Sequence, residues 1–173
     1  MARFYALCLM MATLIIVDQL SKGAIQSSLQ LGQSIPVIEG FFSIAYVQNT
    51  GAAFGFGAGA HDYFRITMFL VLPVFFCFWI FYMLVKTIKD AFYMSLAYAL
   101  ILAGAVGNLI DRFSLGYVVD FFLFYWKDEV NHFPAFNVAD SCITVAAGLL
   151  IYDYFVQLKA QRAQKNATDP LSK

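Results

Sequence analysis

Four long apolar segments alternate with more polar ones along the chain. They cover about residues 4–21, 64–85, 91–112 and 139–158. Each is close to the roughly 20 residues that an α-helix needs to cross a bilayer. Each is also too long and too continuous for a strand of a membrane barrel. The pattern therefore predicts four membrane-spanning helices.

The connections between these segments predict smaller elements on one side of the membrane. In the first connection, about 22–63, β-branched and aromatic residues surround Glu39-Gly40, which predicts a small sheet over about 34–48. The second, about 113–138, is rich in aromatic residues that favour the boundary between lipid and water. There we expect a mobile flap over about 121–134.

The predicted fold class is thus an all-α transmembrane four-helix bundle with a small extracytoplasmic β-sheet platform and an interfacial flap. Residues 1–158 form a single membrane domain in this interpretation. The polar residues 159–173 form a disordered cytoplasmic tail.

Composition supports a membrane protein and excludes some partners. Of the 173 residues, 61% are hydrophobic and 13% are charged, whereas soluble domains carry about 25% charged residues. A chain of this length has no core large enough to hide that apolar surface, so lipid must cover part of it. The 11 basic and 11 acidic residues cancel, which argues against a nucleic-acid partner.

Basic residues predict the orientation of the spans, because cytoplasmic loops carry an excess of lysine and arginine. With four spans, both termini and the turn near residue 88 share one side, which we assign to the cytoplasm. That side holds Arg3, Lys86, Lys89, Lys159, Arg162, Lys165 and Lys173. The two long connections then face outward. The first apolar segment has no small-x-small cleavage site after it, so we interpret it as a retained span.

Polar side chains are predicted to converge at the outer face. Ionisable residues in spans are costly and are functional candidates by default. The first and third spans run outward and end in such residues, and the fourth begins with them. Alternating helix direction therefore brings one layer of polar residues together: Asp18, Asn108, Asp111, Arg112, Asp120, Asn137 and Asp140.

Helical spacing leaves several roles open. Asn108 and Arg112 are four residues apart and share a helix face. Arg112 has carboxylates nearby, and Asp111-Arg112 is either a structural ion pair or part of a site. Asp140 either caps the fourth helix or takes part in catalysis. Asp120 lies in an apolar sequence that should raise the pKa of its carboxyl, as a general acid requires.

Five sequence blocks together resemble the lipoprotein signal peptidases, also called signal peptidase II. They occur in that family's order and cover residues 18 to 141 with the predicted spans between them. The blocks are Asp18-Gln19-Leu20-Ser21-Lys22, Asn49-Thr50-Gly51-Ala52-Ala53-Phe54, Gly107-Asn108-Leu109-Ile110-Asp111-Arg112, Val118-Val119-Asp120-Phe121 and Phe136-Asn137-Val138-Ala139-Asp140-Ser141.

The resemblance implies a membrane aspartic endopeptidase of the bacterial inner membrane, with its active site at the outer face. Its substrates would be diacylglyceryl-modified prolipoproteins, cut before the lipidated cysteine, and globomycin would inhibit it. The resemblance implies no metal and no organic cofactor, and we expect a monomer. Asp120 and Asp140 would be catalytic, Asp18 and Asp111 would give structural support, and the site would be ordered by Asn49, Asn108, Arg112 and Asn137.

Other functions remain to be weighed against this one. A four-span transporter usually carries its ionisable residues near the middle of the bilayer, whereas here they lie at one face. An assembly protein that binds partners through aromatic loops would not need converging Asp and Asn residues. A presenilin-like protease would carry a Gly-x-Gly-Asp pattern, which is absent. The acids are also suited to binding a divalent cation.

Overall fold

In a computed structural model, the chain folds into apolar helices and one small antiparallel sheet. The structure describes residues 1–51, 61–89 and 91–168. The remaining positions lie outside the described residues. They include Ala52, Ala53 and Phe54 of the second resemblance block and residues 169–173 of the predicted tail.

The described helices confirm the four predicted spans. Four helical stretches are long and apolar enough to cross a membrane, and the second of them combines a short helix, a π-helical turn and a longer helix. The helical elements are α1 (Ala2–Ser28), α2 (Asp62–Ile66), the π turn (Thr67–Val71), α3 (Leu72–Thr87), α4 (Phe92–Ser114) and α5 (Val138–Thr168).

The predicted sheet is also present, and it is larger than expected. Its strands are β1 (Ser34–Ile38), β2 (Phe42–Asn49), β3 (Val118–Trp126) and β4 (Asp128–His132), in that spatial order. All neighbouring strands are antiparallel. Gly40, in the turn between β1 and β2, has a φ of 73°, a conformation that glycine adopts without the strain of a side chain.

The segment proposed as a flap differs from the prediction. Its first part, residues 121–126, belongs to β3 and pairs with β2, so that Phe42 lies opposite Phe124. The aromatic residues that suggested an interfacial loop equally favour strands. Platform and flap are therefore joined in one sheet, and motion of the later residues stays a prediction.

Two helices extend beyond their predicted ends. Helix α1 continues past residue 21 to Ser28, and α5 continues past residue 158 to Thr168. The predicted disordered tail thus begins as helix. Hydropathy marks where a segment leaves lipid, whereas α5 continues because the Lys, Ala, Gln and Arg residues that follow position 158 are good helix formers.

The π turn precedes Pro73 in the second span. Pro73 lies in the first turn of α3, where its missing N–H group is tolerated. A proline ring hinders the carbonyl of the residue four positions earlier, here Phe69 within the π turn. The wider turn accommodates this conflict.

Helix α4 is the central helix of the structure. About half of its most apolar window is buried, against less than a fifth in the other three spans. Leu102 of α4 packs with Leu7, near the N-terminal end of α1, and with Ile80 and Leu84 of α3. At its other half α4 approaches α5 closely: a Cβ at Gly104 would lie 2.7 Å from Cγ1 of Ile143. Small residues permit such contacts between membrane helices.

Candidate active site

A buried lysine lies at the centre of an ionic cluster in the C-terminal part of α1. Lys22 is 1% exposed. Its Nζ lies 2.8 Å from Oδ2 of Asp18 and 3.0 Å from Oδ2 of Asp111, and it donates to Oδ1 of Asn108 at 3.0 Å. A lysine ammonium has three donors, and all three have acceptors here.

The two carboxylates of this cluster reach backbone groups in other elements. Oδ1 of Asp18 accepts the N–H of Ala139 at 2.9 Å, in the first turn of α5. Such N–H groups have no partner within the helix itself. Oδ2 of Asp111 accepts the N–H of Val119 at 3.0 Å. The cluster therefore joins α1 and α4 to α5 and β3.

Amide side chains connect the two candidate catalytic carboxyls. Nδ2 of Asn137 donates to Oδ1 of Asp120 at 2.8 Å and to Oδ1 of Asn108 at 3.1 Å. Nδ2 of Asn108 donates to Oδ1 of Asp140 at 2.8 Å. A continuous chain of hydrogen bonds thus runs from one aspartate to the other.

Asp140 and Asn137 cap the start of α5 reciprocally. The N–H of Asp140 donates to Oδ1 of Asn137 at 2.9 Å, and the N–H of Asn137 donates to Oδ2 of Asp140 at 3.2 Å. This is the capping-box arrangement of residues three apart. The capping role that the sequence left open for Asp140 is therefore present, and it fixes the carboxyl in position.

Asp120 is buried on β3. It is 2% exposed. Burial, together with the nearby charge of Asp140, raises the pKa of Asp120 from 3.8 to about 7. Hydrogen bonds from Asn49 and Asn137 and the charge of Lys22 lower that pKa and so oppose the rise. The raised pKa agrees with the expectation from the apolar sequence around Asp120.

Of the two roles left open for Asp111-Arg112, the described residues do not form the structural ion pair. Asp111 is paired with Lys22, and in the described part of the chain Arg112 forms no ion pair. Its guanidinium donates from Nη2 to the carbonyl of Gly51 at 2.9 Å and lies over the ring of Phe69, with Cζ 5.9 Å from the centroid. Neighbouring residues on a helix point about 100° apart, so the two side chains reach different partners.

Both aspartates face one cavity of about 740 Å³. Its polar end includes Asn49, Asn108 and Arg112. Its other walls are apolar and come from the π turn, α3, α4, α5 and the segment before α5, with Met68, Phe69, Pro73, Leu109, Phe136 and Val145 among them. The site therefore combines two acids with a long apolar surface.

Comparison with known proteins identifies the family. A family model described as "Signal peptidase (SPase) II" matches residues 10–156. The chain belongs to the signal peptidase II family. Membership indicates a protease, and together with the four apolar helices it supports a multi-pass protein of the bacterial inner membrane.

Curated relatives of the signal peptidase II chain span most of its length. A lipoprotein signal peptidase from Desulforapulum autotrophicum is 43% identical over 150 residues, 87% of this chain and 90% of the relative. One from Shewanella loihica is 45% identical over 141 residues, 82% of this chain and 81% of the relative. A solved bacterial membrane enzyme shares 32% identity, with a TM-score of 0.70 and coverage of 97% of this chain and 93% of its own.

In this signal peptidase II chain the structure brings together every residue that the sequence proposed for the site. Hydrogen bonds between their side chains link five of the eight, namely Asp120, Asp140, Asn49, Asn108 and Asn137. Asp18 and Asp111 join this network through Lys22, and Arg112 lines the same cavity. Among the described residues no group of three or more His, Cys, Asp or Glu side chains has a metal-binding arrangement.

Sequence reasoning missed Lys22 and Gln19 as members of the site. Gln19 donates from Nε2 to Oδ1 of Asp111 at 2.9 Å. Gln19 and Lys22 entered the prediction only as members of the sequence block that begins at Asp18. The available signal was its spacing of four from Asp18, which favours an ion pair on one helix face.

Proposed function

We propose that this protein is an aspartic endopeptidase that removes the signal peptide of diacylglyceryl-modified prolipoproteins. It cuts before the lipidated cysteine, at the outer face of the bacterial inner membrane, and both termini lie in the cytoplasm. The observation that supports the proposal best is the pair of carboxyls, Asp120 and Asp140, that face one cavity and are connected through two asparagine amides.

The proposed chemistry uses a water molecule held between the two carboxyls. Two neighbouring acids cannot both ionise easily, so the pair shares one proton. The ionised carboxyl takes a proton from the water, whose oxygen attacks the scissile carbonyl carbon. The protonated carboxyl donates to the carbonyl oxygen. When the C–N bond breaks, the proton taken from water passes to the leaving nitrogen, and a hydroxyl proton of the tetrahedral intermediate returns to the other carboxyl as the carbonyl reforms. The pair then again holds one proton. We assign the shared proton to the pair and not to either residue.

The surrounding residues have supporting roles in this proposal. Asn137 orders the site by donating to Asp120 and to Asn108. Asn49 and Asn108 order the carboxyls by donating to them. Arg112 holds the backbone at Gly51 beside the cavity. Asp18 and Asp111 support the fold, and neither a metal nor an organic cofactor takes part.

The apolar walls of the cavity suit a lipid-bearing substrate. The acyl chains of a diacylglyceryl group are already in the membrane, so the gain from burying them again is small. Their main contribution is to place the peptide bond near the aspartates. We therefore expect a lipidated precursor to be cleaved faster than an unlipidated precursor inserted in the same membrane. Equal rates would contradict this part of the proposal.

The proposal is tested by incubating the purified monomeric protein with a diacylglyceryl-modified prolipoprotein, with and without globomycin. Asp120→Asn and Asp140→Asn should each reduce turnover about 10²–10⁴-fold, the usual cost of losing acid–base catalysis. The double variant should be little worse than either single one, because the two groups act as a unit.

Asp153→Asn is the matched control. Asp153 is also a buried aspartate on α5, and its carboxylate accepts from Gln157 away from the cavity. This variant should cleave at the wild-type rate. Near-normal turnover by folded Asp120→Asn or Asp140→Asn protein would end the aspartic-protease proposal.

A further inference from the structure

The backbone of each proposed catalytic residue is held by the residue that precedes it. Val119 precedes Asp120, and its N–H donates to Asp111 at 3.0 Å. Ala139 precedes Asp140, and its N–H donates to Asp18 at 2.9 Å. The two catalytic residues lie on different elements, a strand and a helix, so some contact outside them must fix how far apart they are.

Both of these acceptor carboxylates are bound by the same ammonium group. Nζ of Lys22 is within 3.0 Å of Asp18 and of Asp111. All three side chains are almost completely buried, where charge–charge attraction is screened little by solvent. Lys22 therefore fixes the two carboxylates relative to one another, and with them the backbone positions of both aspartates.

The third donor of Lys22 decides how the amide of Asn108 is oriented. An ammonium only donates, so the group of Asn108 that faces it must be the oxygen. The NH₂ group of Asn108 is then directed at Asp140, to which it donates at 2.8 Å. The same oxygen accepts from Asn137. With the amide reversed, its NH₂ group would face the ammonium and be repelled. Without the ammonium, only the donor of Asn137 would oppose this reversal.

We propose that Lys22 is a positioning residue of the proteolytic site, which sets the spacing and hydrogen bonding of both aspartates without contacting the substrate. The inference rests on the proposed function, because it concerns the geometry of that pair. Lys22 acts through three intermediaries, Asp18, Asp111 and Asn108. Small displacements of reacting groups, of about 1 Å, typically cost about 100-fold in rate.

The first test is Lys22→Met, which keeps the length of the side chain and removes its charge. We expect kcat for a diacylated prolipoprotein to fall about 100-fold, with little change in KM because Lys22 is remote from the substrate. Lys86→Met is the matched control, since Lys86 is exposed in the last turn of α3. It should cleave like the wild type.

The pH profile separates positioning from mere support of the fold. The charge of Lys22 lowers the pKa of Asp120, so its removal should move the alkaline limit of kcat to higher pH. A smaller amount of correctly folded protein would lower the rate without moving that limit. The other charged groups around the pair are unchanged in the variant, namely Asp18, Asp111, Arg112 and Asp140.

A double variant keeps the test decisive if Lys22→Met does not fold. Lys22→Met combined with Asp111→Asn leaves the cluster with the same net charge, and the asparagine oxygen still accepts from Val119. In this variant kcat should remain about 100-fold low, because Asn108 has lost its ammonium partner. Recovery of wild-type kcat would overturn the inference, since Lys22 would then serve only to neutralise charge.

The outcomes also distinguish this inference from the proposed function. If Asp120→Asn and Asp140→Asn abolish cleavage while both Lys22 variants keep the wild-type kcat and pH profile, the protease mechanism stands and the positioning role is refuted. If the aspartate variants cleave normally, the proposed function itself fails.

Discussion

Asp120→Asn should make the protein more stable at high pH while it abolishes cleavage. The ordinary pKa of this carboxyl is 3.8 and its pKa in the folded protein is about 7. Between these values the folded state binds more protons than the unfolded state, so the free energy of unfolding falls as pH rises through that window. An asparagine does not titrate, so it causes no such decrease in the free energy of unfolding.

The size of the effect follows from the two pKa values at about 1.4 kcal/mol per pH unit. Asp120 lowers the free energy of unfolding by about 2 kcal/mol at pH 5 and by about 4 kcal/mol at pH 8, where the carboxyl is ionised in both states. An opposing term comes from the hydrogen bonds. Asn49 and Asn137 both donate to Asp120, and an NH₂ group in place of one oxygen would face a donor.

That mismatch costs about 1–3 kcal/mol, and it does not depend on pH. The variant should therefore be about as stable as the wild type, or slightly less stable, at pH 5. At pH 8 it should be more stable by about 1–3 kcal/mol. The pKa predicts how far the stability difference between variant and wild type changes from pH 5 to pH 8. That change is about 2–3 kcal/mol in favour of the variant.

The assay is thermal unfolding of both proteins in the same detergent micelles at pH 5, 6, 7 and 8, followed by circular dichroism. Cleavage by the same preparations is measured in parallel. The midpoint difference should move in favour of the variant as pH rises. A difference that stays constant over this range would show that Asp120 does not titrate near pH 7 and would refute the electrostatic argument.

Two further predictions concern single contacts of the site. Asn49→Ala removes a hydrogen bond that lowers the pKa of Asp120, so the alkaline limit of the pH–rate profile should move to higher pH; an unchanged or lower limit would contradict the assigned contact. Gly107→Ala places a Cβ 2.6 Å from Oδ2 of Asp18 and should lower the free energy of unfolding by about 1–3 kcal/mol. Gly23→Ala is the control for Gly107→Ala, because among the described residues no neighbouring heavy atom lies within 4 Å of a Cβ at Gly23. Equal stability of the two variants would refute the close contact at Gly107.

The sequence by itself determined the spans and the layer in which the polar residues meet. In lipid, backbone N–H and C=O groups find no hydrogen-bond partner outside their own segment, so an apolar run of about 20 residues must be a helix. Successive helices reverse direction, and this alone brings Asp18, Asn108 and Asp140 to one face. The Glu39-Gly40 turn was predictable for a similarly local reason, since glycine accepts the positive φ found there.

Only the tertiary structure decided which polar groups bind one another. Asp111 pairs with Lys22 and not with its neighbour Arg112, and Asp18 caps a helix that begins at Val138. These partners are distant in sequence, and the packing of α1 and α5 against α4 brings them within hydrogen-bond distance. The aromatic segment after Asp120 was ambiguous for the same reason. Its residue types suit an interfacial loop and a strand equally, and pairing with β2 selected the strand.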